Sequence, residues 1–306
     1  MTRDHEINVV TGAFGYTGKY ITRRLLEAGI KVRTLTGHPG RSHEFADRVE
    51  IAPLDFRHPE KLVQALRGAR VLYNTYWVRF DHDSTTFEQA AANSRLLIEA
   101  AREAGVRKIV HVSIANPSLD PRLPYYSGKA KVEEAIVESG LAYSTLRPTV
   151  IFGPEDILIN NIAWFTRRFP VFAIPGDGRY RIQPIFVEDI ASLAVREGQN
   201  NTNRILDAVG PETFPFEELV RRIANAVGSK THLFHLAAGA TAQALRLVGP
   251  FVGDVVLTRE EIEALEADLL VSHHAPSGWT RFTAWLQANA ETLGRTYSSE
   301  LGRHYR

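Results

Sequence analysis

Tyr125 and Lys129 stand four residues apart, and their types and spacing could carry out proton transfer. The spacing puts both on one face of a helix that starts near Tyr125. A phenol is a weak acid, with an ordinary pKa of about 10, and a lysine ammonium beside it favours the phenolate. A tyrosine so placed passes a proton to or from a substrate oxygen while a hydride moves on a redox cofactor. Ser113, Asn116 and Ser118 lie just before this helix, on a stretch stiffened by Pro117, Pro121 and Pro124.

A second pattern lies near the start of the chain. Thr11-Gly12-Ala13-Phe14-Gly15-Tyr16-Thr17-Gly18 joins a short β-branched run, Ile7 to Thr11, to a segment with helical apolar spacing. In such a loop the first glycine makes the turn, the second lets the backbone approach a pyrophosphate, and the third allows close helix packing. The helix start then presents its amides and positive dipole end to phosphate. Gly12, Phe14, Gly15, Tyr16, Thr17 and Gly18 are therefore candidate nucleotide-binding residues.

The next strand ends Leu35-Thr36-Gly37-His38-Pro39-Gly40-Arg41, without the acid that commonly meets the ribose hydroxyls of NAD. Thr36, His38 and Arg41 suit a 2′-phosphate instead, so NADP(H) is favoured over NAD(H). Asp55 and Phe56, after the third strand, are placed for the adenine edge, with Asp55 alternatively a helix cap. Asn74 and Thr75 follow the fourth strand, where the cofactor would cross the sheet. Tyr76 and Trp77 after them either wall a substrate pocket or fill core beneath a loop.

The elements needed to position these groups are legible as alternating periods. Strands are expected at Ile7–Thr11, Lys31–Leu35, Val49–Leu54, Val71–Asn74, Lys108–Ser113 and Ala142–Arg147, with helices between them from Thr17, Pro59, Thr85 and Tyr125. That alternation predicts an α/β fold: a Rossmann-type, doubly wound parallel sheet with ligands at its carboxyl edge. The second half predicts helices at Glu155–Arg168, Val187–Arg196, Phe216–Val227, Thr231–Leu247, Thr258–Leu265 and Ser277–Thr292, and one more strand at Asn203–Val209. The expected division is a nucleotide-binding domain over 1–155 and 180–210, and a smaller, mostly helical lobe over 156–179 and 211–306.

Composition narrows the class. The 306 residues are 44% apolar and 23% charged, which excludes a disordered or collagen-like chain. With 36 basic and 35 acidic side chains there is no global attraction to nucleic acid. The absence of cysteine excludes disulfides, thiolate metal sites and a cysteine nucleophile. No histidine spacing suggests a metal site, and no metal is expected. The first residues do not resemble a signal peptide and no apolar run is long enough to span a membrane, so a cytoplasmic location is expected. The apolar run Leu233–Leu257 reads first as core or lobe helix; if exposed, it makes the C-terminal lobe the face for a homodimer, a protein partner or a membrane surface.

Taken together, these residues resemble the short-chain dehydrogenase/reductase superfamily over roughly residues 7–210, nearest its extended and atypical branches. Those branches include NAD-dependent nucleotide-sugar epimerases and dehydratases, NmrA-like proteins and an accessory subunit of respiratory complex I. The resemblance rests on Gly12/Gly15/Gly18, Tyr125/Lys129, the run Arg147-Pro148-Thr149-Val150-Ile151-Phe152-Gly153-Pro154, and the helix start Phe186-Val187-Glu188-Asp189-Ile190-Ala191. It implies Tyr125 as acid/base, Lys129 lowering its pKa and holding a ribose, Ser113 positioning the substrate oxygen with Asn116 or Ser118 as alternatives, and Pro148 and Val150 contacting the nicotinamide. It also implies an arginine near Arg179 or Arg181 for a sugar diphosphate, the other reading being surface charge. Asn160 and Asn161, inside an apolar helix, either meet substrate or satisfy lobe packing. The expected function is NAD(P)-dependent oxidoreduction of a hydroxyl/carbonyl group on a small molecule. The alternatives are a nucleotide-sugar epimerase or dehydratase, and a non-catalytic nucleotide-binding accessory or redox-sensing protein.

Overall fold

The computed structural model describes residues 7–41, 44–81, 85–237, 239–241, 243, 253–255 and 258–304. It divides into two compact units, Met1–Pro148 with Val187–Ala208, and Thr149–Phe186 with Val209–Arg306.

The first unit begins β1 (Ile7–Thr11), α1 (Tyr16–Glu27), β2 (Lys31–Thr36), β3 (Val49–Pro53), α2 (Pro59–Leu66), β4 (Ala69–Asn74) and α3 (Phe87–Glu103). It continues with β5 (Lys108–Val112), α4 (Pro124–Glu138) and β6 (Ala142–Pro148). The chain then passes through the second unit as β7 (Ile151–Phe152), α5 (Leu158–Arg168), β8 (Val171–Pro175), β9 (Arg181–Ile182) and β10 (Ile185–Phe186). It returns for α6 (Val187–Gln199) and β11 (Arg204–Ala208). The remainder of the second unit carries β12 (Phe214–Pro215), α7 (Phe216–Ala226), β13 (His232–Leu236), α8 (Arg259–Glu266), α9 (Phe282–Asn289) and α10 (Glu300–His304).

Seven strands form one sheet in the order β11-β6-β5-β4-β1-β2-β3, and every pairing is parallel. The order reverses between β1 and β4, so the carboxyl ends of those strands flank the crevice where such sheets bind ligands. Parallel strands covered on both faces need near-continuous apolar sequence. Accordingly all five residues of β5 are buried, and Val9, Leu35, Leu72 and Ile109 are wholly enclosed with Leu62, Leu66, Leu97 and Ile136 from the helices. Glu188 at the start of α6 ties that helix to α1 through Arg23 and Arg24.

The second unit packs around Phe152, Phe282 and Trp285, with Phe214, Leu219 and Ile223. Three two-stranded sheets, β10-β7, β12-β9 and β13-β8, run through it. The helix expected at Thr231–Leu247 is corrected here. His232–Leu236 is a strand paired in parallel with Val171–Pro175. The apolar positions 233, 234 and 236 suit either a helical stripe or a short strand, and the open edge of β8 decides between them. Residues 238, 242 and 244–247 of that expected helix lie outside the described residues. Helix α5 begins at Leu158 rather than Glu155, and the Asp156 carboxylate accepts from the Ile159 amide, 2.7 Å away.

Candidate active site

The glycine loop is built by contact as well as by conformation. Gly12 turns with φ +66°, a region open mainly to glycine. A Cβ on Gly18 would stand 2.2 Å from the Gly12 carbonyl oxygen, so α1 can approach the turn only because residue 18 has no side chain. The Gly15 amide donates to the same carbonyl at 2.8 Å and α1 starts at the next residue. The loop is anchored to β2 by Gly12 N–H to the Leu35 carbonyl and by Ala13 N–H to the Thr34 hydroxyl, at 2.9 and 3.1 Å. The first amides of α1 have no acceptors within the helix and suit an anion.

Beside this loop, at the carboxyl ends of β2 and β3, lies an open cavity of about 780 Å³. Thr36, Gly37, Asp55, Phe56, Arg57 and the α3 side chains of Gln89, Asn93 and Leu96 help to line it. Thr36, Asp55 and Phe56 were expected here; Arg57 and the α3 trio were not. A signal for the trio existed in their spacing, which places all three on one helix face. The Thr36 hydroxyl accepts from the His38 amide, and Arg41 N–H donates to the His38 carbonyl, which folds the 37–41 turn. The Asp55 carboxylate accepts from the Arg57 amide at 3.1 Å and meets His58 Nδ1 at 2.8 Å. The His58 contact is the main reason its pKa falls to about 2, so Asp55 is ionised at neutral pH.

Where β4 ends, a buried polar chain links three strands. Thr11 Oγ1 donates to Asn74 Oδ1 at 3.2 Å and accepts from the amides of Thr75 and Tyr76. Thr75 Oγ1 donates to the Thr11 carbonyl at 2.6 Å. Asn74 Oδ1 also accepts from Tyr76 N–H, so the amide nitrogen faces His111 Nδ1 at 3.2 Å and donates to it. His111 is therefore the tautomer protonated on Nε2, wholly buried and held neutral chiefly by burial. Tyr76 turns towards the cavity side: its ring lies 4.9 Å from Phe56 and its hydroxyl accepts from Asn93 at 3.0 Å.

Tyr125 and Lys129 lie in the first half of α4, as the spacing requires. Tyr125 is half-buried and its ring is edge-on to Trp77 and Phe87, at 6.0 and 5.6 Å between centroids. Lys129 is 3% exposed, and its ammonium donates to the Val112 carbonyl at 3.0 Å. Burial pulls its pKa down to about 7, with Glu133 acting the other way. Trp77 covers this lysine: Nζ lies 4.7 Å from the indole centroid.

Ser113 is buried at the end of β5, but its hydroxyl is engaged. It donates to Glu133 at 2.5 Å, and Glu133 forms a two-pronged ion pair with Arg147 at 2.6–3.1 Å. The arginine keeps Glu133 an acceptor, so Ser113 offers lone pairs rather than a proton to any neighbour. Any part it plays in positioning a substrate oxygen is therefore as an acceptor. Asn116 stands in a left-handed turn with φ +52°, and the Ser118 hydroxyl accepts from Asp120 N–H.

A family model described as NAD(P)H-binding matches residues 12–156, the stretch that holds the glycine loop, the cavity and the Tyr/Lys pair. That match, with the relatives below, is consistent with the extended/atypical branch of the short-chain dehydrogenase/reductase superfamily. Among curated relatives, the mitochondrial NADH dehydrogenase [ubiquinone] 1 alpha subcomplex subunit 9 of Arabidopsis thaliana is 22% identical over 288 residues, 88% of this chain and 72% of that one. A ceramide reductase of Caulobacter vibrioides is 26% identical over 232 residues, 74% of this chain and 72% of that one. Among solved structures, the Citrobacter triphenylmethane reductase complexed with NADP(H) superposes with TM-score 0.75 at 18% identity, covering 93% of this chain and 99% of that one. That likeness establishes the shared fold.

Pro148 closes the first unit, where its carbonyl accepts from Ala115 N–H. Val150 lies in the second unit and its carbonyl accepts from Ile185 N–H. Of the two readings of the α5 asparagines, the packing one matches their hydrogen bonds, and the substrate-contact one is not supported. Asn160 donates to the Thr296 carbonyl and accepts from Gly294 N–H, while Asn161 exchanges hydrogen bonds with the Ser298 backbone. Arg181 pairs with Asp268 at 2.9 Å, within the same unit. Among the described residues, no cluster of metal-ligating side chains occurs and no helix is long and apolar enough to cross a membrane.

Proposed function

We propose that the chain is an NADP(H)-dependent oxidoreductase acting on a hydroxyl/carbonyl group, with Tyr125 as proton donor and acceptor. The observation that carries this reading is the presence of Tyr125 and Lys129 on the same nucleotide-binding unit as the glycine cradle and the open cavity. A Cβ-free turn at the head of α1 and a cavity bordered by an aromatic ring, a carboxylate and a guanidinium fit the adenosine half of a dinucleotide. Gly12 and Gly15 hold the loop, Thr36 and Arg57 border the ribose end, and Phe56 offers a ring face to adenine. Arg57 adds a cation to Arg41 and His38, and supports NADP(H) over NAD(H).

The cofactor, when bound, supplies or accepts the hydride. Tyr125 Oη then gives a proton to the developing alkoxide, or takes one from an alcohol. Lys129, four residues on in the same helix, favours the phenolate in its charged form. Ser113, fixed as an acceptor by Glu133, suits an alcohol hydroxyl better than a ketone oxygen.

The test follows NADPH consumption and NADP reduction with a panel of carbonyl compounds and alcohols. Turnover by the wild type is expected to fall about 10²–10⁴-fold in Tyr125→Phe, with nucleotide affinity unchanged. Tight nucleotide binding without turnover on any compound would instead support the accessory reading. That second reading is favoured by Trp77 standing over Lys129 and by the likeness to a complex I subunit.

A further inference from the structure

The two ends of the nucleotide site are unequally accessible, and one residue makes the difference. The Trp77 indole lies over the Lys129 ammonium at 4.7 Å, stacks within 14° of parallel on Phe87, and stands edge-on to Tyr125. Room for it comes from Gly128, where a Cβ would lie 2.7 and 2.9 Å from two indole carbons. The backbone just before the indole is tied down, with Thr75 and Tyr76 N–H both donating to Thr11 Oγ1. The indole itself is held less completely. Its Nε1–H is buried and has no hydrogen-bond partner among the described residues. The same is true of His111 Nε2, whose ring feels the charge of Lys129. Buried donors without acceptors raise the free energy of the arrangement that buries them.

A dinucleotide lies along the carboxyl edge of such a sheet, with its halves on either side of the point where strand order reverses. The adenosine side, at β2 and β3, is open. The other side, past β4 and β5, holds the indole on Lys129. We infer that Trp77 determines which part of the nucleotide this unit accepts. Seated on Lys129, it admits the adenosine half and excludes the second ribose and its base; off Lys129, it admits the whole dinucleotide. This deepens the reading above and rests on its premise that the chain binds NAD(P)H. If Lys129 is uncovered in about a tenth of molecules, affinity for the whole dinucleotide drops about tenfold, while an adenosine fragment is unaffected.

Two variants uncover the lysine in different ways. Trp77→Ala removes the indole. Gly128→Ala keeps it and drives a methyl group against it, with no polar group changed. Adenosine 2′,5′-bisphosphate and NADPH are titrated calorimetrically into wild type and both variants. Acylation of Lys129 by N-hydroxysuccinimidyl acetate is followed in parallel by mass spectrometry. The bisphosphate is expected to bind all three alike, within about twofold, while NADPH binds the variants about tenfold more tightly than wild type. Lys129 is expected to acylate faster in both variants. Equal NADPH affinity in all three proteins overturns the inference, with or without faster acylation. Should Trp77→Ala fail to fold, Gly128→Ala carries the comparison alone. Failure of the bisphosphate to bind any of the three defeats the NAD(P)H premise instead; unchanged acylation would then overturn the covering role of Trp77 as well.

Discussion

The β2/β3 end and the β5/α4 end of the carboxyl edge belong to one sheet, yet they are finished differently. At the first, the cavity is open and its polar groups are held by local turns such as Asp55 with Arg57 and His58. At the second, Lys129 is 3% exposed, Ser113 is engaged by Glu133, and an indole covers the ammonium. The open end suits binding, whose demands are shape and a few donors. The closed end suits chemistry, because a buried amine near neutral pKa and a half-buried phenol interact more strongly out of water.

The sharpest way to break this contrast is at the shared glycine loop. Gly18→Val drives side-chain atoms into the Gly12 carbonyl, which a Cβ alone would approach to 2.2 Å. Adenosine bisphosphate affinity, measured calorimetrically on protein whose circular dichroism remains native, is expected to fall about 100-fold, or roughly 2.7 kcal/mol. Retained affinity would remove the loop from the site. Next, Arg57→Ala probes the open end alone. NADPH should weaken about tenfold and NADH by less than about twofold, since only the former carries a 2′-phosphate for the guanidinium. Equal losses would mean that Arg57 reads something common to both nucleotides.

The closed end is probed through stability. The Lys129 pKa is lowered to about 7 from an unfolded value of 10.5, so the unfolded chain binds more protons between those limits. Stability contributed at this residue therefore rises as pH climbs from about 7 to 10.5, and below 7 the full cost of burying the charge is present. Lys129→Met removes that cost. It is expected to raise the unfolding free energy by about 1 kcal/mol or more at pH 6, with the gain shrinking by pH 10, in denaturant titrations at both pH values. A gain independent of pH would show that the lysine carries no buried charge.

Much of the first unit was legible because its signals are local. Short β-branched runs, helical stripes and a glycine spacing fixed six of the seven sheet strands within a few residues, and Asn203–Val209 anticipated the last. Gly12 and Gly18 were readable because their roles depend on backbone geometry a few residues apart. What stayed hidden depends on distant partners. Ser113 looks like a free hydroxyl until α4 brings Glu133 and β6 brings Arg147 beside it. Asn160 and Asn161 read either as ligand contacts or as packing groups until residues 294–298 return to take their amides. The strand at His232–Leu236 reads as helix until Val171–Pro175 offers an edge. Trp77 could be placed near the site from its position after β4, but its seat on Lys129 depends on Gly128, about fifty residues later.

The central claim is that residues 12–156 cradle a pyridine dinucleotide by its adenosine half, and a crystal structure of the NADPH complex tests it most directly. The account predicts the diphosphate at the start of α1 and the adenosine in the cavity bordered by Thr36, Asp55, Phe56 and Arg57. A nucleotide seated elsewhere, with that cavity filled by side chains of the protein, would contradict it.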